Sequence, residues 1–246
     1  MSSLPDRLRL LRTALTRRFI YTDVASMAER YGLSIRDVCG DIEPFEFVAL
    51  ASGRAPEGPD FSVLREEHFT ASEAYAAGWS SEPTVGRFLG RLAAARKDPV
   101  VIELGCFVGW STAHIALALA AGGSQGRVHY LDYSANYLAA ATANLQRLGL
   151  GGFGVPYHGM STDPVIQQAL PAKADIVFID TSHDYKFTLV EIAHFGARLN
   201  PGGCLVLHDS LSASGVRRAI HQSRNDFRVA TFATERSNGL SVLWPK

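Results

Sequence analysis

The sequence predicts an α/β domain with a doubly wound, mostly parallel sheet of seven strands, preceded by an N-terminal helical cap and closed by a C-terminal β-hairpin. Three observations carry this. From residue 99 onward, short β-branched runs alternate with longer helical segments, the one-dimensional pattern of a parallel sheet covered on both faces. The strongest runs are apolar throughout rather than alternating, as strands buried on both faces require. The last two runs follow each other without an intervening helix, across a Ser237-Asn238-Gly239 turn.

The chain of 246 residues suits one such domain plus a modest extension. Its 24 basic residues balance its 24 acidic ones, so it carries no electrostatic footprint for a phosphate backbone, and a nucleic-acid partner is not expected. Cys39, Cys106 and Cys204 are odd in number, far apart and in no metal-ligand spacing, which reads as reduced thiols in a cytoplasmic protein. No apolar run is long enough to span a bilayer and the N-terminus lacks the apolar core of a signal segment, so no membrane association is expected.

Residues 1–70 read as the cap. Leu4, Leu8, Leu11 and Leu15 recur at helical spacing among arginines, a stripe that suits packing on the domain or a homodimer contact. Residues 22–40 resemble two short helices broken at Gly32, but the second carries too many acids to meet DNA. A Gly/Pro loop over 52–60 separates this part from helical text around 70–96. The domain proper, 71–246, then runs in order: strand 99–104, glycine turn and helix 105–121, strand 127–132, helix 134–149, a weaker strand near 155–159 and a helix near 163–170. Strand 174–180, helix 186–199, strand 202–209, helix 214–224 and the terminal pair 228–234 and 240–245 complete it.

In an open parallel sheet, ligands bind beyond the carboxyl ends of the strands. Acids stand at four of the first five strand ends: Glu103, Asp132, Asp180 and Asp209. The fifth, the weaker strand, is followed by Gly159, Met160 and Ser161. Buried carboxylates at strand ends need a ligand, a metal or hydrogen-bond partners. The turn Glu103-Leu-Gly105-Cys-Phe-Val-Gly109 discriminates further. A diphosphate site wants small residues and an open helix N-terminus. Here Cys106, Phe107 and Val108 fill the turn and a carboxylate precedes it, which suits an uncharged nucleoside with a cationic tail; Asp132 is placed to accept ribose hydroxyls.

These residues resemble the class I S-adenosylmethionine-dependent methyltransferases. The E-x-G-x-x-x-G turn with an acid ending the next strand carries the first part of the resemblance. SSEPTVGRFLGRL before strand one, FIDTSHDY at strand four and LNPGGCLVLHD at strand five are similar to small-molecule O-methyltransferases of the macrocin and catechol types, over residues 80–246. The resemblance implies S-adenosylmethionine along Glu103, Gly105 and Gly109, its ribose on Asp132, and its adenine near Tyr133, Met160 and Ser161. It implies magnesium on Asp180 and Asp209, with Asp180 also facing the cofactor, and His183 as the base. Where the family carries Asp or Asn after the second metal carboxylate, this sequence has Ser210, a hydroxyl ligand without charge.

The chemistry fits that arrangement. The acceptor hydroxyl of a sugar or phenol must be oriented and relieved of its proton, which a hard cation and an imidazole do together. Two other readings stand beside it: a non-methyl use of the sulfonium, such as intramolecular cyclisation, and a regulatory or DNA-binding module built on the N-terminal helices. Trp79, Trp110 and Tyr185 flank the expected site and suit either an acceptor pocket or the core, whereas His114, His194 and His221 read as structural.

Overall fold

The computed structural model describes residues 20–21, 60–65, 69, 80–232, 234, 236 and 238–246. The leucine stripe, the paired helices of 22–40, the domain boundary at residue 70 and Trp79 lie outside these residues. Among the described residues, eight strands form one sheet in the order β1-β7-β8-β6-β5-β2-β3-β4. They are β1 Ile20–Tyr21, β2 Val100–Leu104, β3 Arg127–Asp132, β4 Gly154–His158, β5 Ala174–Ile179, β6 Leu199–Leu207, β7 Phe227–Phe232 and β8 Leu240–Pro245. Seven are the expected ones. The eighth, β1, is a two-residue strand paired parallel to the edge of β7 inside the part expected to be helical, and it is too short for periodicity to register.

Strands β2 to β6 pair parallel, and β8 lies antiparallel between β6 and β7. The connection from β2 goes to one neighbour, β3, while β5 pairs on its other side, so the strand order reverses at β2. That reversal opens a crevice at the carboxyl end of β2, where a helix cannot cover both sides at once.

Among the described residues, six α-helices cover the faces: α1 Pro83–Ala94, α2 Trp110–Ala121, α3 Ala135–Arg147, α4 Pro164–Ala169, α5 Tyr185–Gly196 and α6 Ser214–Gln222. Strand alternation sorts the core into two. Val101, Val128, Ile176, Phe178 and Val206 face α1, α2 and α3, and Ile102, Leu131, Val177, Leu205 and Leu207 face α5 and α6. Three of these helices start at a capping side chain. Ser134 accepts from Tyr137 N, Asp163 from Val165 N, and Asp184 from both Lys186 N and Phe187 N. Pro83 and Pro164 open α1 and α4 at a position where no backbone donor is required. Trp110 is buried edge-on against Phe69 and His114, and thus belongs to the α1–α2 core. No helix among the described residues is long and apolar enough to cross a membrane.

Phe178 is fully buried on the central strand β5. Phe178→Ala is expected to destabilise the fold by about 3–5 kcal/mol through lost burial and a residual cavity, read as a lowered urea midpoint at unchanged slope.

Candidate active site

The carboxyl ends of β2, β3, β4 and β5 surround a cavity of about 310 Å³. Its floor is the turn after β2. Gly105 N and Cys106 N both donate to Leu131 O, and Asp180 N donates to Leu104 O, so the turn is pinned to the strands on either side. Gly105 has φ +83°, and a Cβ there would sit 2.2 Å from Asp180 O. Only glycine allows the two strand ends to approach this closely. Phe107 also has positive φ, and its ring packs edge-on against Tyr137; both line the cavity.

Asp132, at the end of β3, lines the cavity and is nearly buried. Its Oδ2 accepts from Phe107 N at 3.0 Å and its Oδ1 from Ser134 N at 2.9 Å. Burial pushes its carboxyl up, and the backbone donors oppose that. Each oxygen retains a lone pair for a ligand. Tyr133 and Met160 stand at the mouth, 70% and 50% exposed, two large apolar side chains with nothing over them among the described residues. Ser161 and Asp180 complete the expected residues found in the wall.

Glu103 and Gly109 do not line it. Glu103 is fully buried beneath the start of α2, where Ser111 Oγ and Thr112 Oγ1 donate to its two oxygens, the latter at 2.6 Å. Burial raises its pKa to about 7 against the pull of those hydroxyls. The acid in this turn therefore holds the helix N-terminus from below, and Gly109 is the N-cap residue of that helix.

Beyond Asp180 the cavity gives way to a cluster of acids and histidines. Asp180, His183 and Asp209 each offer a ligand atom within 4.8 Å of the others, a set that could hold a metal ion. His183 Nε2 lies 3.0 Å from Asp209 Oδ2, and the imidazole is 54% exposed. Burial pushes Asp209 up, but the His183 contact and the adjacent His208 ring outweigh it and hold the carboxyl well below the usual range. The hydrogen bond to Asp209 raises the pKa of His183. The backbone of His183 is fixed from the other side by α6, because a Cβ on Gly215 would lie 2.0 Å from His183 O.

His208 directly follows β6 behind this cluster, 5% exposed. Its Nε2 is 2.7 Å from Glu82 Oε2, and its Nδ1 is 3.3 Å from Asp209 Oδ2 and 3.5 Å from Asp180 Oδ2. Burial alone would lower its pKa, yet Asp180, Asp209 and Glu82 together raise it well above the ordinary value, so the ring is an imidazolium. Glu82, fully buried at the N-cap of α1, also accepts from Thr234 Oγ1 at 2.6 Å and Arg236 N at 3.3 Å, which ties the β7–β8 turn to the site.

Ser210 makes no hydrogen bond to either carboxylate; it is buried and its hydroxyl has no partner among the described residues. The hydroxyl on Asp209 is that of Ser212, donating to Oδ1 at 2.6 Å. Asp209 has φ +54°, and this reversal of the chain carries the next side chain inward and brings the third one back.

A family profile described as a methyltransferase domain matches residues 102–210, from β2 to the residue after Asp209. The catechol O-methyltransferase of Niastella koreensis is 30% identical over 146 residues, which is 58% of this chain and 63% of that enzyme, just under two thirds of its length. The catechol O-methyltransferase of Mycobacterium tuberculosis is 31% identical over 192 residues, covering 72% of this chain and 76% of that enzyme. The chain belongs to the class I S-adenosylmethionine-dependent O-methyltransferases.

The fold of this methyltransferase is shared with solved relatives. The O-methyltransferase of Bacillus cereus, in complex with S-adenosylhomocysteine, aligns with a TM-score of 0.60 at 20% identity, over 69% of this chain and 84% of that one. The O-methyltransferase of Streptomyces achromogenes involved in tomaymycin synthesis, in complex with S-adenosylmethionine, aligns with a TM-score of 0.62 at 17% identity, over 78% and 92%. Several site residues of the methyltransferase carry no sequence signal of their own. Tyr137 and Phe187 line the cavity from the first turns of α3 and α5, and Thr181 from the loop after β5. Glu82 enters from a segment 126 residues away from His208.

The buried Glu103 makes stability depend on pH. Its folded pKa of about 7 lies above the ordinary 4.5, so the folded state binds the proton more tightly and its stabilisation is lost as pH rises from 4.5 through 7. Over that window the stability of the wild type is expected to fall relative to Glu103→Gln by on the order of 3 kcal/mol, as measured by urea unfolding at a series of pH values.

Proposed function

We propose that the protein transfers a methyl group from S-adenosylmethionine to a hydroxyl of a small polar molecule, a sugar or a phenol, with a divalent cation on Asp180 and Asp209 and with His183 as the proton acceptor. One observation carries this reading: Asp180 stands both in the wall of the nucleoside-sized cavity and in the Asp180–His183–Asp209 cluster, so the methyl donor's place and the acceptor's place meet at one residue.

The donor set fits a hard cation. Two carboxylates supply charged oxygen ligands, and magnesium prefers such oxygens with waters completing the shell. When bound, a cation of this kind orients the acceptor oxygen and lowers its pKa. The remaining work falls to the protein. Asp132 offers acceptors to a ribose, Tyr133 and Met160 offer apolar faces to a purine, and the glycine floor at Gly105 lets the ligand lie against backbone. Methyl transfer is an in-line displacement: the acceptor oxygen forms a bond to the methyl carbon, the carbon–sulfur bond breaks, and the hydroxyl proton goes to the imidazole of His183. His183 is half exposed at the rim and oriented by Asp209, as a base reaching an incoming hydroxyl must be.

A second role for His183, as a third metal ligand, is favoured by its place within the cluster. The two roles separate by experiment. As the base, His183→Ala lowers kcat by about 10²–10⁴-fold with magnesium affinity unchanged; as a ligand, it weakens magnesium affinity in the same calorimetric titration. Asp180→Ala is expected to abolish turnover of a catechol or sugar panel while still binding S-adenosylhomocysteine. Intact turnover in that variant overturns the metal role, and methylthioadenosine as the product overturns methyl transfer.

A further inference from the structure

One buried carboxyl stands apart from the chemistry above. Glu191 lies on α5, 1% exposed; it neither lines the cavity nor joins the acid cluster. Its oxygens are divided between two loops. Oε1 accepts from Ser161 Oγ at 2.5 Å, and Oε2 accepts from Thr181 Oγ1 at 2.8 Å. Both residues belong to the cavity wall, Ser161 after β4 and Thr181 next to Asp180 after β5. The carbonyl of Ser161 is held in turn by Gln167 Nε2 of α4 at 3.1 Å.

A hydroxyl has one proton and two lone pairs, and an ionised carboxylate only accepts. With both protons committed to Glu191, the two wall hydroxyls have only lone pairs left to offer. We propose that Glu191 is a positioning residue of the S-adenosylmethionine cavity, cross-linking the loops after β4 and β5 and turning Ser161 and Thr181 into pure acceptors for the N–H groups of the ligand. This rests on the cofactor reading above. An amino-purine and an ammonium tail both carry such donors, so an acceptor-lined wall favours them over their deaminated counterparts.

The same geometry has a titration consequence. The groups facing the carboxyl are the neutral Ser161 and Thr181, backed by Gln167, and no charged side chain contributes to its shift. Burial raises Glu191 to about 7 against the pull of the two hydroxyl bonds. Once protonated, the carboxyl becomes a donor itself, and one of the two hydroxyls must turn round. The acceptor pattern is therefore complete above about pH 7 and broken below it.

The test is calorimetric titration of the full chain with S-adenosylhomocysteine from about pH 6 to 8.5, on wild type, Glu191→Gln and Thr181→Val. Wild-type affinity is expected to rise about tenfold through the window, while Glu191→Gln binds about tenfold more weakly at the alkaline end with a flat profile. In Thr181→Val a bond that holds the carboxyl down is gone, so the midpoint of the wild-type profile moves up. A Glu191→Gln protein that keeps both wild-type affinity and the wild-type profile overturns the proposal, because the titration then belongs to another group such as Glu103. If Glu191→Gln does not fold, an unmoved midpoint in Thr181→Val overturns it instead. A wild type that binds no S-adenosylhomocysteine removes the cofactor reading and this proposal together, whereas binding that is indifferent to Glu191 removes this proposal alone.

Discussion

The site depends on a positive charge in a place where the sheet gathers negative ones. Parallel strands deliver their carboxyl ends to one edge, and in this chain those ends carry acids. Glu82, Asp180 and Asp209 converge there, close enough that like charges would strongly oppose one another in a poorly solvated environment. The imidazolium of His208 lies between them and contacts all three. A buried ion pair of this kind adds little net stability compared with an apolar substitute, but removing the cation alone would strand carboxylates without compensation. The arrangement is better understood as one that permits acids to be held at a useful spacing than as one that strengthens the fold.

The same charge fixes positions. Glu82 belongs to the N-cap of α1 and binds the β7–β8 turn through Thr234 and Arg236, so the His208 contact draws the first described helix and the final hairpin to the edge where Asp180 and Asp209 stand. Asp180 is held from a different direction by Leu104 O and by the glycine at 105. His183 is buttressed by Gly215 of α6. Each functional side chain on this rim is thus positioned by an element other than its own, as precise orientation of reacting groups demands.

What could be read from the sequence and what could not divide along physical lines. Strands buried on both faces leave unbroken apolar runs, and these alternate with longer helical segments, so seven strands and the helices between them are readable in order. The acids at strand ends were readable because position in the sheet is a matter of counting. Their partners were not. Glu103 sits at the expected strand end, yet it turns its carboxyl under α2 to Ser111 and Thr112, since strand alternation sends residue 103 to the α2 face. Ser210 follows Asp209 in sequence, but positive φ at Asp209 puts Ser212 on the carboxylate instead. Glu82 lies within the SSEPTVGRFLGRL motif, but its pairing with His208, 126 residues away, exists only once the sheet is assembled, and Glu191 meets Ser161 and Thr181 only once their loops are folded over α5.

The reversed strand β8 has a practical corollary. It enters at the edge that bears the cavity, where Ser241 pairs with Leu207, and leaves at the opposite edge, where Pro245 pairs with Phe227. Six residues of extended chain span roughly 20 Å. A fluorophore, spin label or immobilising tether joined beside Lys246 would therefore hang from the underside of the sheet, leaving the mouth framed by Tyr133 and Met160 clear for ligands to enter and leave.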